Sequence, residues 1–407
     1  MKKSITKKIS NCLVCKNRNL KKIYIFKNIN LLSPNLSEKL RIKEKYINFS
    51  INFCPKCLNI QLSNYINPDL MYENFSYQTA ISKELIVHNQ KYAKKINTKL
   101  KLYKSKILDI GSNDGSLLKK FKKNNFRIGV EPSKEVSKIA NKNNIQTLNN
   151  FFNYNFSKKM KKNFGQFDVI FCNNTLANIS DINDFVKGLK NLLNKDGSII
   201  IETSYSINVM RKYLLDTIYH EHINYFNLNS LKFLMESLDL KIYDVEKIVT
   251  KGGSLRIYVA KKTNKIKVKS KKLLKILNEE KAFYKQKKFI KKFNDNIRFR
   301  KNKIAKILQS KKINKIYGFG SSVGCFTIAN EFELFKYIDY FIDDFPLRKH
   351  LTFNNGQILI KKTKYVNPKS NDLIIGLAWR YFKKYLSNNK KFNKLKKLYL
   401  YPNIKFI

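Results

Sequence analysis

The sequence predicts an α/β protein with a doubly wound parallel sheet, preceded by a small cysteine-rich domain and followed by a second α/β domain. From residue 106, short apolar runs alternate with glycine turns and amphipathic segments, as in KILDIGSNDGSLLKKFKKNN and FRIGVEPSKEVSKIANKNN. The same alternation begins again at INKIYGFGSSVG and continues through IDYFIDDFP and DLIIGLAW. Short strands that alternate with helices are typical of parallel sheets whose two faces are covered by helices.

The elements around the first sheet are predicted from their periodicity. The segment MYENFSYQTAISKELIVHNQKYAKKI is aromatic at first and then helical in period, with Leu85 and His88 on one face. The stretch LKIYDVEKIVTKGGSLRIYVAKK is expected to supply antiparallel strands that close the sheet. A lysine-rich stretch at about 261–310, with Leu273 and Ile297 among its apolar positions, predicts a helical connector.

The composition indicates a protein with a strongly basic surface. The chain of 407 residues has a formal net charge of +53, and nine of its 82 basic residues are arginines. The lysines are spread over the whole length, whereas nucleic-acid binders more often cluster their charge on one face. The apolar runs are shorter than a membrane span requires, and no apolar core follows the N-terminal lysines. We therefore expect a cytoplasmic protein without nucleic-acid or membrane partners, either a monomer or a weak dimer.

The cysteines predict a structural metal site. Two CxxC pairs contain four of the six cysteines, namely Cys12, Cys15, Cys54 and Cys57. Two such pairs in a cytoplasmic chain are typical of a tetrahedral zinc ribbon, in which four thiolates leave no open position for catalysis. The alternative, a pair of redox motifs, lacks a thioredoxin-like βαβ pattern around either pair. Cys172 and Cys325 lie in apolar surroundings and are expected to be ordinary core thiols.

The stretch ILDIGSNDGSLL predicts a ligand-binding turn. A strand ends at Asp109, a turn contains Gly111 and Gly115, and a helix is expected to begin near Leu117. This turn is neither a phosphate P-loop nor a GxGxxG dinucleotide loop. An acidic residue, Glu131, ends the next strand, where a carboxylate can accept hydrogen bonds from ribose hydroxyls.

The glycine turn and the strand-end acid together resemble class I S-adenosylmethionine (SAM) methyltransferases. In that family the loop passes the methionine part of the cofactor and the acid holds the ribose. The strand end in FCNNTL would place two asparagines at the carboxyl edge of the sheet, beside the sulfonium. The resemblance implies these cofactor-binding residues: Asp109, Gly111, Ser112, Asn113, Asp114, Gly115, Glu131, Pro132, Asn173 and Asn174.

A longer series of motifs resembles the nucleotide-sugar C-methyltransferase family. The series is DIGSNDGSLL, GVEPS, NNTLANISDINDFV, DTIYHEHINYF and KGGSLRIYVA, followed by YGFGSSVG, IDDFP and LAW. Members of that family methylate a carbon next to the ketone of a deoxy-keto sugar carried on a nucleoside diphosphate. The resemblance implies a zinc-binding domain at 1–70, a helical lid and linker at 71–105, a SAM-binding Rossmann-like domain at 106–262, a helical connector at 263–310 and a C-terminal Rossmann-like domain at 311–407.

The stretch DTIYHEHINYF, residues 216–226, supplies the expected proton chemistry. His222 is assigned as the base, since a neutral imidazole is available near pH 7 and a C–H beside a ketone needs a base. Tyr219 and His220 are donors that could favour the enolate oxygen. Glu221 could orient a ring or contact a sugar hydroxyl. Tyr77, in the lid segment SYQTAIS, is a second candidate catalytic hydroxyl.

The substrate-binding set is expected to comprise Tyr77, Ser82, Asn178, Lys251 and Arg256. Arg256 either contacts the substrate or braces its strand. Asn178 and Lys251 stand where the family commonly has histidines, and the second glycine loop lacks a lysine usually found near Val323. These departures leave open the sugar, the methylated position and the acceptor atom.

Other functions are compatible with parts of the sequence. His220 and His222 could chelate a metal along a strand, or the HEH triplet could be structural, but the chain has only two other histidines. An RNA or DNA methyltransferase would combine zinc, SAM and basic charge, but no [DN]PP[YFW] motif ends the fourth strand. A SAM-binding protein with an altered acceptor is a further alternative. The second glycine loop either binds no nucleotide or binds that of the substrate, and its domain is expected to close one side of the substrate cleft.

Overall fold

The computed structural model describes residues 5–29, 46–72, 75, 77–249, 252–286, 288–309, 312–346, 350–353 and 356–407. The chain forms two compact units. The first unit consists of Met1–Lys21, Asn52–Ile207 and Glu221–Gln286. The second unit consists of Lys22–Ile51, Asn208–His220 and Lys287–Ile407.

The boundaries of the two units differ from some of the predicted domain boundaries. Both cysteine pairs of the predicted zinc-binding domain lie in the first unit, whereas its middle part, Lys22–Ile51, belongs to the second. The predicted helical connector divides at Gln286. The HEH triplet also divides, because His220 ends a segment of the second unit and Glu221 begins a segment of the first.

The strands and helices are numbered here in chain order. The strands are β1 (Thr6–Lys8), β2 (Lys21–Ile29), β3 (Ile47–Phe53), β4 (Ile60–Leu62), β5 (Asn64–Ile66), β6 (Lys106–Ile110), β7 (Phe126–Val130), β8 (Thr147–Leu148), β9 (Phe167–Asn173), β10 (Leu193–Ser204), β11 (Asn224–Tyr225), β12 (Leu240–Ile248), β13 (Ser254–Lys261), β14 (Ile316–Phe319), β15 (Tyr340–Ile342), β16 (Leu351–Phe353), β17 (Gly356–Ile358), β18 (Ile360–Lys361), β19 (Leu373–Gly376), β20 (Lys396–Tyr399) and β21 (Lys405–Phe406). The α-helices are α1 (Pro68–Tyr72), α2 (Lys83–Leu100), α3 (Lys134–Lys142), α4 (Tyr154–Phe164), α5 (Ile182–Leu192), α6 (Ser206–Lys212), α7 (Leu228–Glu236), α8 (Ser270–Lys285), α9 (Phe289–Gln309), α10 (Val323–Glu331) and α11 (Trp379–Asn388).

The first unit is built on a seven-stranded sheet in the order β12-β13-β10-β9-β6-β7-β8. Strands β8, β7, β6, β9 and β10 are parallel, whereas β13 runs antiparallel to both β10 and β12. This order confirms the predicted doubly wound sheet and its antiparallel closing strands. The carboxyl ends of β6, β7 and β9 therefore meet at one edge, where ligands of such sheets bind.

The second unit contains a six-stranded sheet in the order β18-β15-β14-β19-β20-β21. All neighbours are parallel except β20 and β21. The chain order runs outward from β14 to one side and from β19 to the other, so the topological switch point lies between these two strands. This sheet confirms the predicted second Rossmann-like domain.

Helix α2 confirms the predicted helix before the first sheet. The Ser82 hydroxyl accepts a hydrogen bond from the Leu85 N–H and caps its start, as serine commonly does. Its buried face contains Tyr92 and Ile96, which pack in the core of the sheet. The predicted connector is helical as α8 and α9, with Leu273, Leu277, Ile297 and Ile304 buried.

The prediction of a helix that begins near Leu117 is wrong, because only a single 3₁₀ turn, Leu118–Lys120, forms there. The Arg127 guanidinium donates to the carbonyl oxygens of Leu118 and Phe121. These bonds satisfy carbonyl groups that a longer helix would otherwise use, so the chain turns directly toward β7. Among the described residues, no helix is both long enough and apolar enough to cross a bilayer.

Candidate functional site

The two cysteine pairs form a matched pair of turns. The Cys12 N–H donates to the Asn17 carbonyl oxygen, and the Cys54 N–H donates in the same way to the Asn59 carbonyl oxygen. Lys16 and Leu58, each directly after the second cysteine of its pair, have φ values of 58° and 63°. Their left-handed backbone lets each turn present both thiols to one point.

The four sulfur atoms fit a single metal ion. The ligand atoms of Cys12, Cys15, Cys54 and Cys57 all lie within 4.8 Å of one another. Hydrogen bonds with the thiols of Cys12 and Cys54, together with burial, raise the pKa of Cys57, and a bound cation would favour its thiolate. Four thiolates in this arrangement would suit tetrahedral Zn²⁺. Among the described residues, this is the one group of three or more metal-ligating side chains that converges.

The first glycine loop, residues 109–115, is held open by two positions that accept only glycine. Gly111 has a φ of 72°, and a Cβ atom there would lie 2.2 Å from Thr175 Oγ1. Gly115 has a φ of 74°, and its Cβ would lie 2.9 Å from the Ile145 side chain. Left-handed backbone of this kind is costly for any residue with a Cβ. The loop therefore passes close to Thr175 and Ile145 with no Cβ atom in the way at these two positions.

Glu131 lies directly beside this loop. Its Oε2 accepts a hydrogen bond of 3.0 Å from the Asn113 N–H, and its Oε1 accepts one of 3.0 Å from the Ser133 N–H. Each carboxylate oxygen has a further lone pair for a ribose hydroxyl. Burial, with the Glu131 charge adding to it, raises the pKa of Asp109 to about 7. A cation bound beside these two acids would offset their burial and mutual repulsion, which suits the cationic cofactor expected here.

The lid segment docks on the loop. The Asn113 amide donates to the Tyr77 carbonyl oxygen at 2.9 Å and accepts from the Thr79 N–H at 2.8 Å. The Asp114 carboxylate accepts from the Ala80 N–H at 2.7 Å. Loop residues predicted to contact the cofactor therefore also hold the segment that carries Tyr77, and the two predicted sets of residues meet.

Two polar atoms at the loop fit an additional ligand. Asn173 Nδ2 and Ser112 Oγ are buried, and neither has a hydrogen-bond partner among the described residues. Buried polar atoms are normally satisfied, so an unpaired amide N–H at the ligand-binding edge of the sheet fits the carboxylate or a ring acceptor of a bound cofactor. The residues present therefore suit SAM.

The amide of Asn173 is oriented by Tyr92, a residue that the sequence did not single out for the site. The Tyr92 hydroxyl donates to Asn173 Oδ1 at 3.1 Å. The guanidinium of Arg256 lies over the Tyr92 ring, 3.6 Å from its centroid. In turn, Arg256 pairs with the buried Glu202 carboxylate at 2.6 Å, and His88 Nε2 lies 3.4 Å from the same carboxylate. These contacts correspond to the bracing role, one of the two alternatives predicted for Arg256.

Tyr72 brings part of the HEH stretch into the neighbourhood of the loop. Burial raises the pKa of Tyr72, and the nearby carboxylates of Glu131 and Glu221 add to this rise, while a hydrogen bond with the Asn178 side chain opposes it. Glu221 and Asn178 therefore lie near the acid that ends β7. Tyr72 was not predicted, although it stands in the aromatic stretch before the lid.

The HEH stretch itself is a turn rather than the strand expected for metal chelation. Residues 218–223 connect the 3₁₀ turn Leu215–Thr217 to β11. His220 is buried, and burial lowers its pKa to about 4, so its imidazole is neutral at pH 7. Tyr219, Glu221 and His222 all have contacts within the protein.

The remaining predicted site residues are placed as follows. Asn174 has a φ of 54°, and its N–H donates to the Glu202 carbonyl oxygen at 2.7 Å. The carbonyl oxygen of Pro132 accepts from the Asn149 amide at 2.8 Å. Ser82 caps α2. Lys251 lies outside the described residues.

Two families match the chain in sequence. Residues 85–245 match the family described as a methyltransferase domain, and residues 249–402 match the C-methyltransferase C-terminal domain. A curated relative, C-methyltransferase NovU of Streptomyces niveus, is 28% identical over 209 residues, which are 51% of this chain and 50% of the relative. The chain thus spans about half the length of this relative.

The solved structures to which the chain is similar include two methyltransferases. The plantazolicin methyltransferase BpumL in complex with S-adenosylhomocysteine (SAH) and a desmethyl analogue is 14% identical, with a TM-score of 0.35 over 43% of this chain and 83% of that one. Magnesium protoporphyrin IX methyltransferase from Synechocystis with bound SAM is 11% identical, with a TM-score of 0.34 over 46% of this chain and 86% of that one.

The sheet order and the first domain match define a class I SAM-dependent methyltransferase. The second match narrows this class, because residues 249–402 match the C-methyltransferase C-terminal domain.

Proposed function

We propose that the chain is a C-methyltransferase that acts on a nucleotide-linked keto-deoxysugar in sugar or polysaccharide biosynthesis. In the proposed reaction a base removes a proton from the carbon next to the ketone, and that carbon then accepts a methyl group. The relative NovU, described as a C-methyltransferase, and the C-methyltransferase C-terminal domain support transfer to carbon. The nucleotide-sugar acceptor rests on the series of motifs in the sequence.

The observation that carries the proposal is the electrostatic interaction of Tyr72 with both the predicted ribose acid and the HEH stretch. The same tyrosine is in electrostatic contact with Glu131, the predicted ribose acid, and with Glu221 of the HEH stretch. His222 follows Glu221 directly, so a candidate base belongs to the same neighbourhood as the predicted cofactor acid. A base close to the methyl donor is what carbon methylation requires.

The chain's own residues would divide the chemistry in the following way. His222 would take the α-proton, and the electron pair of the broken C–H bond would move toward the ketone oxygen to form an enolate. Tyr219 and the neutral His220 would donate hydrogen bonds to that oxygen. When bound, SAM supplies an electrophilic methyl group to the enolate carbon. Asp109, Asn113 and Glu131 would bind and orient it, and no metal is needed for this step.

The four-cysteine cluster would have a separate, structural role. We propose that Cys12, Cys15, Cys54 and Cys57 hold one Zn²⁺ ion. The convergence of the four sulfur atoms supports this role, and the two matched turns leave no position for a reacting ligand.

The His222→Asn variant tests the base assignment. We expect it to bind SAM as the wild type does but to lose exchange of the substrate's α-proton with deuterated water by at least a hundredfold, because general bases typically contribute that much. The control is His350→Asn, since His350 Nδ1 only accepts a hydrogen bond from the Ile360 N–H in a different part of the chain. Exchange at the wild-type rate in His222→Asn would reject the assignment.

The acceptor can be identified directly. We expect incubation with a panel of nucleotide-linked keto sugars and methyl-labelled SAM to place the label on a carbon next to the ketone, as located by NMR. Label on an oxygen or nitrogen atom would contradict carbon methylation. Tight and steeply salt-dependent RNA binding with methyl transfer to RNA would instead favour a nucleic-acid substrate.

A further inference from the structure

The carboxylate of Asp216, in the second unit, is held by two side chains from the start of α11. The Trp379 indole N–H donates to Asp216 Oδ2 at 3.1 Å, and the Arg380 guanidinium forms an ion pair with the same oxygen. The Asp216 side chain is only 9% exposed. A buried carboxylate is stable as an anion only with partners of this kind. The pair therefore fixes the 3₁₀ turn Leu215–Thr217 against the carboxyl end of β19.

The backbone of the same turn lies against the start of α10. A Cβ atom on Gly324 would lie 2.1 Å from the Asp216 carbonyl oxygen. Gly324 is in the first turn of α10, behind the Ser322 cap, and its φ is not left-handed. Its glycine is therefore required for close packing on residue 216, not for an unusual backbone conformation.

These contacts occupy the place where a Rossmann-like sheet normally binds its ligand. α10 follows β14 and α11 follows β19, the two strands that flank the topological switch point. In such sheets a nucleotide lies in the crevice outside these strand ends, with its phosphates at the first helix N-terminus. Here the turn at Asp216 packs on one of the two helices and pairs with the other.

The acidic residue at the end of β15 is also engaged within the protein. Asp343 Oδ2 accepts hydrogen bonds from the Ser321 N–H at 2.9 Å and from the Ser321 hydroxyl at 2.7 Å. Asp343 Oδ1 accepts from the Phe345 N–H at 2.9 Å. The Asp343 carboxylate thus shapes the second glycine loop through its contacts with Ser321, much as Glu131 contacts the first loop.

We propose that the C-terminal Rossmann-like domain uses its switch-point crevice to hold Asp216, and that Asp216 is a positioning residue for the segment that carries Tyr219 and His220. The domain then has no dinucleotide site, and its glycine loop binds the chain's own turn. This inference rests on the proposed function, because it concerns how residues with proposed catalytic roles are placed.

Further hydrogen bonds to the turn around Asp216 support the positioning role. The Tyr401 hydroxyl donates to the Tyr213 carbonyl oxygen at 2.8 Å, and the Thr217 hydroxyl donates to the Leu214 carbonyl oxygen at 2.8 Å. The Tyr401 ring lies 5.4 Å from the Trp379 ring, so the residues that hold the turn also pack on each other. The segment is thus also held at Tyr213, before Asp216, and the Thr217 hydroxyl closes the turn itself.

The Asp216→Asn variant tests the proposal by separating turnover from cofactor binding. The amide keeps the shape and one acceptor oxygen but loses the charge that pairs with Arg380. We expect kcat to fall at least tenfold, while the Kd for SAM stays within twofold of wild type. The matched control is Asp339→Asn, because Asp339 accepts from the Ile316 N–H at the opposite end of β14. An unchanged kcat in Asp216→Asn would overturn the positioning role.

Hydrogen exchange gives a readout that does not depend on turnover. We expect peptides covering residues 214–220 to exchange faster in Asp216→Asn and in Trp379→Phe, which removes the indole donor but keeps an aromatic ring. Exchange at the wild-type rate in both variants would overturn the proposal. If the wild type transfers no methyl group to any keto sugar and exchange still rises, the proposed function fails and the fastening of the turn stands.

Two further measurements address the crevice. We expect calorimetry to give the same result for the wild type and for Asp216→Asn with NAD, NADP and a nucleoside diphosphate. Tight binding of NAD or NADP to the wild type would overturn the assignment of the crevice. Gly324→Ala should lower the midpoint of thermal unfolding, although alanine ordinarily favours a helix over glycine. A raised midpoint would show open space at residue 216 and contradict the proposal.

Discussion

The Arg256→Met variant distinguishes a brace of the first sheet from a contact with the acceptor. Arg256 and Glu202 stand opposite each other on β13 and β10, and their side chains are 3% and 4% exposed. Removing one partner of such a buried pair costs about 3–5 kcal/mol, because the other charge is left uncompensated. The loss of the cation–π contact with Tyr92 adds about 1–2 kcal/mol.

These magnitudes predict a clear change in thermal stability. In a domain of 150–250 residues, 1 kcal/mol corresponds to about 2–4 °C in Tm, so Arg256→Met should lower the transition of the first unit by on the order of 10 °C. Calorimetry or circular dichroism measures this shift. In the control, Arg256→Met with Glu202→Leu, both charges are absent and most of the lost stability should return.

The pH dependence of the effect has a predicted sign. Burial raises the pKa of Glu202, but the His88 hydrogen bond and the Arg256 charge outweigh it and lower that pKa from 4.5 to about 2. The stability contributed by this carboxylate is therefore present above pH 4.5 and is lost as the pH falls toward 2. Without Arg256 the pKa rises, so the difference in Tm between wild type and variant should shrink from pH 7 to pH 4.

One outcome would refute the bracing role. If Arg256→Met unfolds at the wild-type temperature and instead has a raised KM for the acceptor, Arg256 contacts the substrate. A loss of stability with an unchanged KM would establish the brace.

Two further variants test the metal site and the cofactor site. Cys57→Ser should reduce the zinc content from one ion per chain to a small fraction, because a closed four-thiolate site depends on every ligand. Atomic emission measures this content, and the control Cys172→Ser should keep its zinc. Equal zinc content in the two variants would contradict the assignment. Tyr92→Phe should raise the Kd for SAM about fivefold, as expected for a lost hydrogen bond of about 1 kcal/mol that orients Asn173. Tyr103→Phe, at an exposed position, is its control in the same calorimetric titration, and an unchanged SAM affinity in Tyr92→Phe would show that Asn173 needs no such support.

The parts of the fold that depend on local pattern could be predicted from the sequence. Gly111 and Gly115 are informative because a left-handed backbone selects glycine, and Glu131 is informative because parallel strands end at one edge. The two sheets follow from alternating strands and helices. The helix predicted after Gly115 does not form, and the sequence pattern gave no sign of this. In its place, the carbonyl oxygens of Leu118 and Phe121 accept hydrogen bonds from Arg127.

The contacts that orient the site could not be predicted, because they join distant positions. The hydrogen bond between Tyr92 and Asn173 spans 81 residues, and the one between Asp216 and Trp379 spans 163. Helical periodicity predicts that α2 has one buried face, but it does not identify the polar group that the Tyr92 hydroxyl contacts. The HEH triplet likewise has no periodicity, so its turn conformation could not be predicted from local pattern.

A metal ion held by the two cysteine turns would also act as a cross-link between distant parts of the chain. Cys15 and Cys54 are 39 positions apart, and between them the chain leaves the first unit at Lys21 and returns at Asn52. A single ion would therefore close this excursion into a loop. Closing a loop of that length removes unfolded-state entropy worth about 4 kcal/mol, in the same way as a disulfide, but reversibly and without an oxidising environment. A chelator that removed such an ion would therefore also remove this cross-link and its contribution to the free energy of unfolding.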